Sequence, residues 1–227
     1  MKRFYFFAAA INLALLLLCS CSSGISITAL QNDDVKLDFS LAFSPKEIEL
    51  LKDLSQTLTT STEKNANDLN ENQFFSEGEI KKILTAMSAK DVSAKVGNSN
   101  SIGSSASIYS ISKTTLSKSK ILTKTANSLT LTFGPKEFNL LYQILDEESR
   151  GYLDLLMIPC LNDEKMSFTE YKTLLASVYG EEIANEFTNG ILKIELKSPD
   201  LKKNTKVQLK IGELLTLEHS KSWSVLW

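Results

Sequence analysis

Two stretches of the chain alternate apolar and polar side chains at the two-residue period of a half-buried strand. They are Leu37-Asp38-Phe39-Ser40-Leu41-Ala42-Phe43 and Leu129-Thr130-Leu131-Thr132-Phe133. A helical pattern follows each and opens on a proline, Pro45 or Pro135, at the first helical position, where the missing N–H forfeits no intrahelical bond. Ser44 and Glu47 stand at capping-box spacing ahead of the first helix, while Gly134 replaces that serine ahead of the second, a weaker cap. Ile48, Leu51, Leu54 and Leu58 fall on one face of the first helix, and Phe138, Leu141 and Leu145 on one face of the second. A further helix is predicted in each half, over 77–87 with Ser76 as its cap and over 169–179 with Thr169 as its cap.

These parallels belong to a longer internal similarity with an offset of about 90 residues. Phe43-Ser44-Pro45-Lys46-Glu47 aligns with Phe133-Gly134-Pro135-Lys136-Glu137, and Phe75-Ser76-Glu77 with Phe168-Thr169-Glu170. Asp91-Val92 and Val96 align with Glu182-Ile183 and Phe187, and Ile108-Tyr109-Ser110-Ile111 with Ile191-Leu192-Lys193-Ile194. Each half then reads as strand, helix, helix, short helix, strand, with copy one over 35–112 and copy two over 128–198. The expected fold is α+β: two repeated β-α-α-β units whose strands pair into a mixed or antiparallel sheet, with helices to one side and a C-terminal hairpin.

The halves differ in their middles. Residues 59–72 are polar without apolar periodicity, whereas 147–163 contain Tyr152-Leu153-Asp154-Leu155-Leu156-Met157-Ile158, apolar enough to add a packing element or a partner-facing one. Between the copies, 113–127 reads as a Ser/Thr/Lys-rich linker or hairpin, with Ile121-Leu122 as a short strand. No acid occurs between Val92 and Pro135, while Lys95, Lys113, Lys118, Lys120 and Lys124 do. Two readings stand, a cationic finger for anionic polymers or lipid headgroups and a solvated connection. The tail, 199–227, reads as strands over 206–211, 214–219 and 222–227, with a hairpin turn at Gly212-Glu213. Trp223 and Trp227 make that end resemble the C-terminal signal of outer-membrane barrels, but so helical a body is no barrel, which leaves a last strand that caps the core.

Ahead of the body lies an address. Lys2 and Arg3 precede an apolar run over 4–18 broken only by Asn12, short for a helix that must cross about 30 Å of hydrocarbon. Leu18-Cys19-Ser20-Cys21 follows and resembles the lipobox of bacterial lipoproteins, with an aliphatic residue three places before the cysteine and a small one directly before it. Cys19 departs from the residues usual in its slot. The resemblance implies removal of residues 1–20 and attachment of diacylglyceryl and N-acyl groups, palmitate among them, to Cys21. More than one acyl chain holds a protein firmly at a membrane. Because Ser22 is not Asp, the resemblance also implies the outer membrane, facing the periplasm or the cell surface. Residues 21–34, beginning Cys21-Ser22-Ser23-Gly24, read as the lipidated cysteine and a polar tether.

Composition narrows the chemistry. The 227 residues are 43% hydrophobic and 23% charged with a net charge of −2, which describes a globular body without the basic field that nucleic acid requires. With Cys19 removed and Cys21 acylated, Cys160 stands alone after an apolar run, a buried inert thiol outside any disulfide framework. One histidine, His219, sits in an alternating segment, too few ligands for zinc and a poor foundation for a triad. Neither a GxSxG elbow nor a phosphate-cradling glycine loop occurs. Carboxylate pairs exist at Asp33-Asp34, Asp146-Glu147-Glu148 and Glu181-Glu182, at helix ends and turns where acids are favoured for solvation and dipole reasons. Asn162-Asp163-Glu164 lacks the ligand alternation of a calcium loop. The expectation is a lipid-anchored envelope protein with Cys21 as its one site residue, no catalytic residue, metal or cofactor, and a protein or envelope component as partner. The rival expectations are an envelope hydrolase working through paired carboxylates and a structural or surface-antigen protein.

Overall fold

The computed structural model describes residues 22–42, 77–86, 89–97, 101–144, 157–161 and 165–227. Its first element corrects the expected tether. Ser23, Ile25, Ile27 and Ala29 alternate with polar or absent side chains, and Ser22–Ala29 forms a strand, β1, instead of a loose leader. The chain turns through Asn32, whose φ of 59° an asparagine accepts readily, into β2 (Val35–Ala42), which runs antiparallel to β1. There follow α1 (Glu77–Ala86), β3 (Lys90–Val96), β4 (Ser101–Ile108), α2 (Thr115–Lys118), β5 (Leu122–Lys124) and β6 (Ser128–Phe133). The second half holds α3 (Pro135–Ile144), α4 (Ile158–Leu161), α5 (Phe168–Tyr179), α6 (Glu181–Asn189), β7 (Ile191–Lys197), β8 (Asn204–Lys210), α7 (Ile211–Leu215) and β9 (Lys221–Leu226).

The α+β class and the mixed sheet are as expected. Six strands pair in the order β3-β4-β2-β1-β7-β8, with β1 and β7 parallel and every other neighbour antiparallel. Three more, β5-β6-β9, make a small antiparallel sheet. One side of the large sheet is apolar: Ile27 and Ala29 of β1, Val35, Leu37 and Leu41 of β2, Ile102, Ala106 and Ile108 of β4, and Leu192, Ile194 and Leu196 of β7. These join Tyr171, Leu175, Ala184 and Phe187 from α5 and α6, and Leu129, Leu131 and Val225 from the small sheet, in a single core. The rings of Tyr171 and Phe187 meet edge to face at 6.4 Å and tie the two helices together. Burying each large aliphatic side chain here contributes roughly 1.5–3 kcal/mol.

The repeat arrangement is not reproduced in three dimensions. The matched strands β2 and β6 lie in different sheets. Asp91-Val92 and Val96, aligned with α6, belong to strand β3 and not to a short helix. The helix predicted over 44–58, the polar stretch 59–72 and most of 147–163 fall outside the described residues; Met157 and Cys160, at the end of the last segment, are buried. Ser167, not Thr169, caps α5: its hydroxyl accepts the Glu170 N–H at 3.3 Å and its own N–H reaches the Glu170 carboxylate at 2.8 Å. Within 113–127, expected as a linker or hairpin, Leu116, Ile121 and Leu122 are buried, Ile121-Leu122 leads into β5, and β5 turns through 125–127 to pair antiparallel with β6. At the C-terminal end Gly212-Glu213 lies inside α7 and makes no hairpin turn; β8 pairs with β7, and β9 crosses to β6. His219 sits in a bend before β9, outside any strand.

Two glycines are demanded by geometry. Gly180, with φ 87°, lets α5 end and α6 begin on one residue. Gly134 precedes Pro135 in the cap position, and there a Cβ would stand 2.4 Å from the Ser220 Cα. That close approach brings the Ser220 hydroxyl within 2.5 Å of the Glu137 carboxylate, buried in the first turn of α3. The same turn places Phe138 against Phe133, stacked at 5.5 Å. Gly134→Ser, which copies Ser44, should therefore overpack against backbone and cost about 1–3 kcal/mol in urea unfolding. Gly103→Ala, where a Cβ meets nothing within 4 Å, should leave stability equal or raise it by about 0.5–1 kcal/mol. A Gly134→Ser protein as stable as the parent would contradict the close approach.

Candidate functional site

The other side of the six-stranded sheet is mostly polar, because the residues that alternate with the apolar core positions are mainly small or charged. The strand registers place them in rows. One row runs Lys95, Gly103, Ser40, Gly24, Lys193 and Gln208 across β3, β4, β2, β1, β7 and β8. The next runs Ser93, Ser105, Asp38, Ser26, Glu195 and Lys206, and the one beyond it Lys90, Ser107, Lys36, Thr28, Lys197 and Asn204. Lys36, Ser40, Lys95, Gly103, Lys193, Lys206 and Gln208 are all exposed, so no described element covers this face. With strands about 4.8 Å apart, Lys95 and Lys193 stand roughly 19 Å from each other across a strip of Gly103, Ser40 and Gly24. Ile191, in the end row beside Ser22, is the one large aliphatic side chain in these rows.

Two carboxylates on this face, Asp38 and Glu195, are neutralised in place. Lys36 reaches Asp38 at 3.0 Å, and Glu195 is met by Lys197 at 3.1 Å and Lys206 at 3.5 Å. Partial burial raises the pKa of Glu195, but the two ammonium groups outweigh it and hold the carboxyl below its usual range. Asp38 and Glu195 flank Ser26, whose hydroxyl is shielded and has no hydrogen-bond partner among the described residues. Two acids about 10 Å apart across one strand invite comparison with an inverting glycosidase. A general acid needs a raised pKa, however, and Glu195 is shifted the other way.

A cleft of about 440 Å3 lies at the far end of the sheet from Ser22, between the β1–β2 turn (Leu30, Asn32, Asp33), the β5–β6 turn (Lys124, Thr125, Ala126), Pro199 and Trp227. Two of its polar side chains are already engaged. The Lys124 ammonium donates to the Asn32 carbonyl, and the Trp227 indole N–H donates to the Ala126 carbonyl at 3.1 Å. The cleft is a joint between turns.

The residues singled out by sequence are dispersed. Cys21 and Asp146-Glu147-Glu148 lie outside the described residues, as does Asn162-Asp163-Glu164. Asp33 and Asp34 face no cleft partner as a catalytic pair; Asp34 accepts the Ser110 N–H at 2.9 Å, and Asp33 accepts from the Ser112 N–H at 3.1 Å and its hydroxyl at 2.5 Å. Glu181 and Glu182 are exposed in the first turn of α6, where carboxylates suit the dipole. His219 is exposed. Trp223 packs against Phe133 at 6.5 Å, in a last strand that caps the small sheet. The lysines form no single finger: Lys95 is on β3, Lys124 is bonded to Asn32, and Lys113, Lys118 and Lys120 are exposed around α2. Sequence reasoning passed over Asp38, Glu195 and the lysine rows. The polar half of each strand's alternation carried them, but only the register joins them.

No family model matches the chain, and no curated protein or solved structure does either.

Cys160 is where the sequence put it, buried, with its thiol 3.0 Å from the Leu215 carbonyl. Burial pushes its pKa from 9.0 to about 12. The native state thus keeps a proton that the unfolded chain surrenders near 9, so this contribution to stability is whole below that pH and declines as pH rises towards 12. A thiol reagent at about pH 8 should leave Cys160 unmodified in the native protein and modify it fully in urea, as read by peptide mass mapping. Rapid native labelling at Cys160 would contradict its burial.

Proposed function

We propose that this chain is a lipid-anchored bacterial envelope protein, held at Cys21, whose body is a non-enzymatic interaction module. The N-terminal pattern supports the anchor: a short basic start, an apolar run and Leu18-Cys19-Ser20-Cys21. The observation that carries the module reading is the open face of the large sheet, a broad surface of serine, glycine and lysine with Asp38 and Glu195 already paired. Such a face suits recognition of an extended or planar component better than turnover of a small substrate, for which groups converging in an enclosed site are the usual means. The body would sit at the outer membrane, facing the periplasm or the cell surface, with no nucleic acid among its partners.

Cells expressing the chain and fed labelled palmitate should incorporate label into the parent protein, and Cys21→Ala should abolish it. The mature protein should begin at Cys21 and exceed its polypeptide mass by that of its acyl groups. An unlabelled parent protein, or a native N-terminus elsewhere, sinks the anchor.

A further inference from the structure

Ser22, the first residue of β1, belongs to the open face, and Cys21 directly precedes it. Acyl chains on Cys21 would leave no spacer between the bilayer and the middle of the six-stranded sheet. Charge then selects the side of the sheet that meets the membrane. Lys90 and Lys95 line one edge of the open face, Lys36 stands near its middle, and Lys193, Lys197 and Lys206 occupy the other side, against Asp38, Glu195 and, beside Lys90, Asp91, which accepts from the Tyr109 hydroxyl. The chain as a whole has a net charge of −2, whereas lysines outnumber acids on this face. Among the described residues, Lys95 and Lys193 have no carboxylate within ion-pair distance.

We propose that this face lies on anionic phospholipid headgroups, with Lys95 and Lys193 binding phosphate on either side of the glycine–serine strip. The inference rests on Cys21 as the lipid anchor and names the surface that the anchor brings to the membrane. Within the strip no side chain is longer than the Ser40 hydroxymethyl, so the backbone approaches a planar surface closely. Gly103 points the same way. It has no positive φ, and a Cβ there would meet nothing within 4 Å, so the fold gives no reason for a glycine inside a strand. Glycine weakens a strand interior and commonly marks where something comes close to the backbone. Attraction between basic side chains and an anionic leaflet fades within a Debye length, about 8–10 Å, and so acts on a surface already held at the membrane. An anionic glycan or an acidic protein would answer the same charge, but Cys21 brings neither of them to this face.

The test uses native protein isolated from membranes and carrying Gly103→Cys, with Thr173→Cys on the exposed surface of α5 as control. Each is placed on vesicles of phosphatidylcholine alone, or of phosphatidylcholine mixed with phosphatidylglycerol, and labelled with a membrane-impermeant maleimide. Labelling at position 103 should slow about tenfold or more on the anionic vesicles and recover in high salt, while position 173 labels equally on both. Adding Lys95→Gln and Lys193→Gln should abolish that protection, since roughly fivefold per lysine for two lysines exceeds a tenfold effect. Equal labelling at position 103 on the two vesicle types overturns the proposal. Protection confined to whole cells also overturns it and assigns the face to another envelope component. Intact mass of the same sample reports on the anchor separately: acylated but unprotected protein rejects the face alone, and protected but unacylated protein rejects the anchor alone.

Discussion

The parallel pairing of β1 with β7 holds the large sheet together. β1 is bonded on one side to its own hairpin partner β2 and on the other to a strand from the opposite end of the chain, and the Ser23 hydroxyl reaches the Ile191 carbonyl across 168 positions at 3.4 Å. Without β1 the sheet would fall into β3-β4-β2 and β7-β8, each with an unsatisfied edge. The apolar row of Ile25, Ile27 and Ala29 would be lost with it, and that row joins the apolar side of β2 to that of β7. So long a closure carries a large loop entropy, which the burial of both flanking rows must offset before the sheet is stable.

The same pairing creates the polar face. Asp38 and Glu195 share a row, and Lys95 and Lys193 share another, only because β1 lies between β2 and β7. One alternation thus serves two ends: each inward step adds to the core, and each outward step adds to a predominantly basic surface. Lysines pair with both acids of that row, Lys36 with Asp38 and Lys197 and Lys206 with Glu195.

Legibility from sequence followed the range of the interaction. Strand β2, strand β6, helix α3 and the short strand near Ile121 were visible because their periodicity, proline and turn signals are local. The burial of Cys160 was visible from its apolar neighbours. The repeat is not confirmed: its matched strands β2 and β6 pair in different sheets, and the segment after β2 lies outside the described residues. Ser22-Ser23-Gly24 looked like a tether by composition, although Ile25, Ile27 and Ala29 carried a strand period a few residues on; small polar residues suit the outward side of a central strand as well as a linker. Gly212-Glu213 resembled a hairpin turn but lies in α7, among the buried side chains of Ile211, Leu214 and Leu215.

By itself, the sequence determined which segments would be strands or helices over much of the body, and the α+β class. It also pointed to the burial of Cys160, since burial of a cysteine follows from the residues around it. Tertiary structure alone decided which strands are neighbours, that the chain's first described segment lies inside the sheet, and that lysines far apart in sequence share one surface. The physical reason is that side-chain alternation is a property of a segment, whereas register is a property of a pair, chosen by whichever partner buries the apolar side of both.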